Sequence, residues 1–148
     1  MKLKQLLTAI KYRAEQVPDV DITDLVYDSR KAVPGCAFVC LRGANADGHK
    51  YAKMAAEKGA AVIIAEEPVE APVPVILTDN TRLALAYLSA EFFGHPAEQM
   101  HVIGITGTKG KTTTAFMMRS ILEAAGHKTG VIGTIGVLYG DTLIQTDN

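Results

Sequence analysis

The length, composition and charge of the chain exclude several classes of protein before any motif is considered. Its 148 residues are 48% hydrophobic and 21% charged, which are ordinary globular values, and the length suits one domain or one small domain and part of another. The net charge of -1 gives no general attraction to nucleic acid or to an anionic membrane surface. Any anion-binding site must therefore be local.

The cysteines and the N-terminus indicate a reducing environment. Cys36 and Cys40 are accompanied by no second cysteine pair or histidine pair with metal-ligand spacing, so we expect both thiols to pack in a strand. The opening MKLKQLLTAI has no long apolar run before a small-residue cleavage site, so neither a signal peptide nor membrane insertion is predicted. Both features favour a cytoplasmic protein.

The first half of the chain alternates predicted helices and strands. A short amphipathic helix is expected in MKLKQLLTAI, and strands are expected over 24–28 and 36–41, separated by a Pro-Gly turn. The polar segment RGANADGH predicts a loop, and the helix after it should cover 51–58 and end at Gly59. Two buried strands follow in AAVIIAEE and VPVILTD, joined by a proline-rich connection.

A helix stop near the middle of the chain gives the predicted domain boundary. The helix capped by Asn80 or Thr81 should run to Phe93, where Gly-His-Pro ends it. A second series then reads strand, loop, helix and strand in HVIGIT, GTKGK, TTTAFMMRSILEAAG and HKTGVIGT. The alternation of strands and helices in both series predicts an α/β fold with parallel strands. Residues 1–97 should form the first unit, and residues 98–148 should begin a second α/β unit with too few strands for a stable sheet.

The segment VIGITGTKGKTTTAF, residues 102–116, is the strongest functional motif. The strict phosphate-loop pattern G-x-x-x-x-G-K-[ST] fails because Ile105 stands where its first glycine belongs. The remainder follows an apolar run and opens a predicted helix, where glycines and free backbone N–H groups can surround phosphate oxygens. The predicted phosphate-binding residues are Gly107, Thr108, Lys109, Gly110, Lys111, Thr112 and Thr113.

Three of these residues carry separate expectations. Lys111 would reach the terminal phosphates, and the Thr112 hydroxyl suits a bridging Mg2+ ion. Lys109 either adds positive charge near the phosphates or points into water. The alternative for the whole segment is a capped helix with a Gly-Thr loop and a solvated pair of lysines.

The segment GITGTKGKTTT resembles the phosphate loop of the Mur ligase family, which has the form TG-T/S-x-GKTT. The first half, YDSRKAVPGCAFVCLRGANADGHKYAKMAAEKGAAVIIAEE, is similar to the uridine-nucleotide-binding domain of the members that add the third amino acid of the peptidoglycan stem peptide. The resemblance implies a UDP-substrate-binding domain in residues 1–97 and the incomplete beginning of an ATP-binding domain in residues 98–148. Lys109 departs from the family, which more often has asparagine there.

The resemblance also implies which residues hold the substrate, UDP-MurNAc-L-Ala-D-Glu. They lie in YDSR, in RGANADG and at the last position. Without the resemblance, DSR is explained as an Asx turn with a surface ion pair and DGH as a tight turn, and His49 is not part of the predicted site. The implied substrate residues are Tyr27, Ser29, Ala44, Asn45, Ala46 and Asn148.

The implied activity is ligation that depends on ATP and Mg2+. The glutamyl carboxylate takes the γ-phosphoryl group of ATP, and the amine of diaminopimelate or lysine attacks the acyl phosphate, with Lys111 as the catalytic residue. We expect the chain to be an N-terminal part of such a ligase and to be inactive alone. The alternatives are a MurF-type or other ligase of the family, a related synthetase of folylpolyglutamate or cyanophycin, a GTPase-type regulatory module, and a UDP-sugar-binding module without catalysis.

Overall fold

A computed structural model of the chain describes residues 1–43 and 46–145. The chain divides into two compact units, Met1–His101 and Val102–Asn148. The predicted functional names of the two parts, and their boundary between residues 97 and 98, stay predictions. None of the helices in the described ranges has the length and apolar character needed to cross a bilayer.

The first unit contains a four-stranded parallel sheet with strand order β1-β2-β3-β4, which confirms the predicted α/β fold. The helices expected to cover 51–58 and to run to Phe93 each end within one residue of those positions, whereas the helix expected in MKLKQLLTAI is shorter than that segment. The helices are α1 (Leu3–Leu6), α2 (Ala52–Glu57) and α3 (Thr81–Phe92), and the strands are β1 (Leu25–Val26), β2 (Ala37–Val39), β3 (Val62–Ala65) and β4 (Val75–Leu77). Short 3-10 helices cover Leu7–Ala9, Ser29–Lys31, Gly48–Tyr51 and Pro96–Gln99.

The two central strands are buried on both faces, which explains why they are continuous apolar runs instead of alternating ones. Residues of α1 and α3, such as Leu3 and Leu88, pack with Ile64 on one face. The other face carries Phe38 and Ile63 against the alanines of α2. Helices on both faces cover the apolar side chains of the sheet.

The two thiols lie at the ends of β2, where the sequence predicts them. Cys36 precedes this strand and Cys40 follows it, and both are fully buried and unpaired. Burial raises the pKa of Cys36, and it raises the pKa of Cys40 to about 12. Both groups therefore remain protonated, unreactive thiols at physiological pH.

Helix α3 begins and ends as its sequence predicts. The Asn80 side chain accepts a hydrogen bond from the N–H of Leu83 at 2.8 Å and so caps the first turn. Gly94 and His95 leave the helix with φ values of 71° and 52°, in the left-handed region. Of the two predicted caps, Asn80 is therefore the one that the structure uses.

The second unit corrects part of the predicted order. Its elements are α4 (Lys111–Ala124) and the strands β5 (Gly130–Gly133), β6 (Gly136–Tyr139) and β7 (Thr142–Ile144). These three strands are antiparallel, so the predicted continuation as a parallel series is wrong within the described residues. Two-residue loops, Thr134-Ile135 and Gly140-Asp141, join strands that then pair directly, which a parallel arrangement cannot do.

The predicted strand in HVIGIT is also wrong. Residues 101–106 have no strand pairing, and Val102 and Ile103 are 72% and 54% exposed. An apolar run becomes a strand only when a neighbouring strand accepts its hydrogen bonds, and the hairpins of β5, β6 and β7 pair among themselves. The strand expected in HKTGVIGT is present as β5.

Candidate functional site

The phosphate-loop motif lies where an anion site requires it, at the start of a long helix. Helix α4 begins at Lys111, and Gly110 before it adopts a φ of 78°, which favours glycine. The first helical hydrogen bond is donated by Thr114 to the carbonyl of Gly110 at 2.9 Å. The backbone N–H groups of Lys111, Thr112 and Thr113 therefore belong to the open end of the helix, whose dipole favours negative charge.

The two lysines of the motif have different surroundings. The Lys111 ammonium donates to the carbonyl of Gly107 at 2.6 Å, so its side chain folds back over the loop that precedes the helix. Lys109 is exposed, as are the other motif residues from Gly107 to Thr113. The arrangement fits phosphate groups, because a cation, free N–H groups and the Thr112 hydroxyl all belong to one short segment. Thr112 is the residue of this loop that would ligate Mg2+.

In the first unit, polar loops follow the carboxyl ends of the parallel strands. Residues 27–31 follow β1, the described residues Arg42, Gly43, Ala46 and Asp47 come after β2, and Glu66 and Glu67 come directly after β3. Because the strands are parallel, these segments share one edge of the sheet. Ligands of open α/β sheets bind at this edge.

The predicted residues Tyr27 and Ser29 lie in the loop after β1 and differ in exposure. Tyr27 is 62% exposed, whereas Ser29 is buried at the start of a 3-10 turn. Lys58, which follows α2, donates to the carbonyls of Ser29 and Arg30 at 3.1 and 3.3 Å. The turn is therefore anchored to the neighbouring helix, while the tyrosine ring is available to a ligand.

Asp28 shapes this turn through Arg30. Its carboxylate accepts from the backbone N–H of Arg30 at 2.9 Å and from the guanidinium at 2.7 Å. The Arg30 side-chain hydrogen bonds, followed by its backbone N–H, lower the pKa of Asp28 from 3.8 to about 2. The Asx turn with an ion pair, considered from the sequence as the alternative for DSR, is thus present, and it leaves Ser29 at the end of β1.

The described residues on either side of positions 44 and 45 contact one another. Arg42 and Asp47 form an isolated antiparallel bridge, and the Gly43 N–H donates to the Ala46 carbonyl at 2.9 Å. The predicted residues Ala44, Asn45 and Asn148 lie outside the described residues. Ala46 is the described member of this group.

Arg42 forms ion pairs with the acidic side chains at this edge of the sheet. Its guanidinium lies 2.8 Å from Glu67 and 3.8 Å from both Asp47 and Glu66. The Glu67 hydrogen bond is the largest cause of a raised Arg42 pKa. One cation on the same edge therefore offsets part of the negative charge of these three carboxylates.

His49, which the sequence does not indicate as a site residue, lies at the centre of a polar network. The ring is buried, with Nδ1 2.6 Å from Asp47 Oδ1, and Nε2 accepts from the Glu66 N–H at 3.0 Å. The His49 hydrogen bond is the main cause of a lowered Asp47 pKa. The signal for this contact was only the tripeptide DGH, which is equally typical of a tight turn.

Donor atoms of Asp47, His49 and Glu67 lie within 4.8 Å of one another, as metal ligands do. Arg42 pairs with both carboxylates, and both ring nitrogens of His49 are engaged in hydrogen bonds. These contacts account for the close grouping of the three side chains without a metal ion. We therefore assign the cluster to a hydrogen-bond and ion-pair network.

The fold and the two loop regions define a class: an α/β protein with a phosphate-loop motif opening one helix and polar loops at the carboxyl edge of a parallel sheet. Residues 21–93 match the Mur ligase family, catalytic domain, and residues 105–148 match the Mur ligase middle domain. The chain belongs to the Mur ligase family. The resemblance of GITGTKGKTTT and of the first half of the chain to this family is confirmed.

Relatives and solved structures agree with this membership. The UDP-N-acetylmuramoyl-L-alanyl-D-glutamate–2,6-diaminopimelate ligase of Bacillus licheniformis is 47% identical over 152 residues, which cover 100% of this chain and 31% of the relative. A crystal structure of MurF from Acinetobacter baumannii is 36% identical with a TM-score of 0.68, over 82% of this chain and 27% of its own. MurF from Thermotoga maritima, solved in complex with ADP, is 31% identical with a TM-score of 0.56, over 68% of this chain and 23% of its own. The chain thus spans about a third of the length of the curated relatives that it matches.

Proposed function

We propose that the chain provides the UDP-substrate-binding and nucleotide-phosphate-binding parts of a MurE-type ligase. Such an enzyme joins diaminopimelate or lysine to UDP-MurNAc-L-Ala-D-Glu at the expense of ATP. The observation that carries the proposal is the GTKGKTT segment opening α4 in a chain that is 47% identical, over its whole length, to a ligase named for this reaction. That identity favours the MurE type over the MurF type. If the chain were instead a GTPase-type regulatory module, the polar residues at the sheet edge would have no role.

The proposed reaction assigns separate tasks to the two units. The glutamyl carboxylate of the substrate attacks the γ-phosphorus, ADP leaves, and the resulting acyl phosphate is attacked by the amine with loss of inorganic phosphate. Lys111 and the N-terminus of α4 offset negative charge on the transferring phosphoryl group. A bound Mg2+, with Thr112 among its ligands, would neutralise further phosphate charge. The loops around Ser29 and Ala46 hold the uridine nucleotide.

The ligase assignment is tested with a chimera, in which this chain replaces the matched segment of the Bacillus licheniformis ligase. We expect the chimera to join diaminopimelate to UDP-MurNAc-L-Ala-D-Glu only when ATP is present. Lys111→Ala should slow this reaction about a hundredfold, because one preorganised charge contact is worth on the order of 3 kcal/mol in the transition state. The rate is measured from tripeptide product and ADP release.

Lys109→Ala is the matched control for that variant, because it removes a likewise exposed lysine of the same motif, whereas it is Lys111 whose ammonium folds back onto the Gly107 carbonyl. We expect its rate to fall by much less than that of Lys111→Ala. A Lys109 defect as large as the Lys111 defect would show that the phosphate-binding lysine is assigned wrongly. A folded chimera without ATP-dependent ligation would contradict the enzyme assignment and favour a non-catalytic binding module.

The substrate assignment is tested on the 148-residue chain itself. Titration with UDP should move the backbone NMR signals of Ser29 and Ala46 and of their neighbours, with weak affinity, because the described loops offer few polar contacts. The chain should catalyse no ligation alone, since the motif from Gly107 to Thr113 is exposed and phosphoryl transfer requires exclusion of water. Shifts restricted to that motif, with Ser29 and Ala46 silent, would contradict the uridine site.

A further inference from the structure

The tripeptide Asp47-Gly48-His49 makes close contacts that neither phosphate binding nor the proposed substrate contacts explain. Only 4% of the His49 side chain is exposed, yet both of its ring nitrogens have partners. A backbone N–H can only donate, so Nε2, which receives the Glu66 N–H, must carry its lone pair. Nδ1 then holds the proton and donates it to Asp47. Only the neutral Nδ1–H tautomer satisfies both contacts.

Gly48 brings this tripeptide directly against the end of β2. A Cβ at this position would lie 2.7 Å from the nitrogen and 2.9 Å from the oxygen of Leu41, so the site has no room for a side chain. The Gly48 N–H donates to the same Leu41 oxygen at 2.8 Å. The close approach places the imidazole of the next residue within reach of the neighbouring strand.

Glu66 connects His49 to helix α3. While its backbone N–H binds the imidazole, its carboxylate accepts from the N–H and the hydroxyl of Thr81, at 2.9 and 3.0 Å. The Thr81 N–H is the main cause of a lowered Glu66 pKa. The contacts therefore run without interruption from Asp47, through the ring, to the first residue of a twelve-residue helix.

We propose that His49 is a positioning residue, which holds Asp47, and Ala46 before it, against the end of β3 and so places these residues of the proposed uridine-nucleotide site before the ligand arrives. This inference rests on the proposed function of that site. His49 itself is buried and acts through Asp47. Residues that are held in place before the ligand arrives lose less entropy on binding, so losing the His49 contacts to Asp47 and Glu66 should weaken affinity and leave the sheet intact.

The test uses the whole 148-residue chain and UDP as the probe. Two variants each keep one half of the bridge: His49→Asn retains a donor near the position of Nδ1, and His49→Gln retains an acceptor near the position of Nε2. His49→Ala removes both. His101→Ala is the matched control, since that histidine is exposed and belongs to the same unit. The dissociation constant of UDP is measured at a temperature where circular dichroism shows every variant to be folded.

We expect His49→Ala to weaken UDP binding about tenfold, the loss typical of one or two hydrogen bonds, with smaller losses in the Asn and Gln variants and none in His101→Ala. Nitrogen-15 NMR of the unmodified chain should show Nδ1 protonated and Nε2 unprotonated in His49. Unchanged UDP affinity in all His49 variants, or an Nε2–H tautomer, would overturn the inference. If His49→Ala does not fold, the Asn and Gln variants decide. An unmodified chain that does not bind UDP would refute the proposed function, and the inference with it.

Discussion

At the residue scale, a few side chains set the shape of the loops at the sheet edge. Asp28 shapes the turn after β1, and His49 and Arg42 both bind Asp47 after β2. Charged groups are hydrogen-bonded in both loops, so protonation of the carboxylates is the condition that should loosen them.

The Asp28 turn predicts a pH dependence whose sign follows from its lowered pKa. A carboxylate with a folded-state pKa of about 2 and an ordinary value of 3.8 stabilises the fold above pH 3.8, and this contribution is lost as the pH falls through about 2. Arg30→Gln should raise the Asp28 pKa toward 3.8, although the backbone N–H at position 30 still donates. A carbon-13 NMR titration of the Asp28 carboxyl measures the change. A value of about 2 in the variant would show that Arg30 does not cause the shift.

The long-range hydrogen-bond partners of single side chains were the features hardest to predict from the sequence. DSR and GKT are recognisable from local composition, and the structure places DSR in the turn after β1 and GKT at the start of α4. The partner of His49 is a backbone N–H 17 positions away, on another strand, and no local pattern records such a contact. Lys58, 29 positions from Ser29, was missed for the same reason.

At the element scale, caps and glycines account for most helix ends that sequence predicts. Asn80 caps the first turn of α3, and Gly59 and Gly94 lie within two residues of the ends of α2 and α3, so these signals act locally and can be recognised in the sequence. The hairpins β5–β6 and β6–β7 were missed, although Gly140-Asp141 is a turn sequence of the right length. The strand-helix-strand order of the sequence favoured parallel strands in the second unit, and this wrong expectation obscured the turn signal.

Gly59 and Gly94 give a paired prediction about helix ends. Both have positive φ, 103° and 71°, but a Cβ on Gly59 would lie 3.0 Å from Pro34 Cα, whereas Gly94 has no heavy atom within 4 Å of that position. Gly94→Ala should cost about 1 kcal/mol for the left-handed conformation alone. Gly59→Ala should cost up to about 3 kcal/mol, because strain and contact add. Urea unfolding of both variants measures the difference, and equal costs would show that the Pro34 contact relaxes freely.

At the scale of the whole molecule, the two units differ in how much they bury. The first unit holds the buried apolar side chains of the chain in two clusters on the faces of its sheet. In the described residues of the second unit, Gly136 alone is buried, and no residue of α4 is. Stability should therefore be concentrated in the first unit.

Amide hydrogen exchange should show this difference directly. We expect the slowest exchange in β2 and β3, whose residues are all buried, and fast exchange throughout α4 and the strands β5, β6 and β7. Opening of the second unit should require less free energy than global unfolding. Equal protection of both units would contradict the inference that each unit's stability follows its buried area.

The two-residue loops of the second unit have a consequence for the order of events during folding. The residues on either side of each loop pair with each other, Gly133 with Gly136 and Tyr139 with Thr142. The entropy cost of closing such short loops is therefore small. Hairpins of this kind close in about 1–10 μs. The parallel pairs of the first unit join residues such as Phe38 and Ile63, which meet only after a crossover of the intervening chain. The less stable sheet should therefore be the first to form.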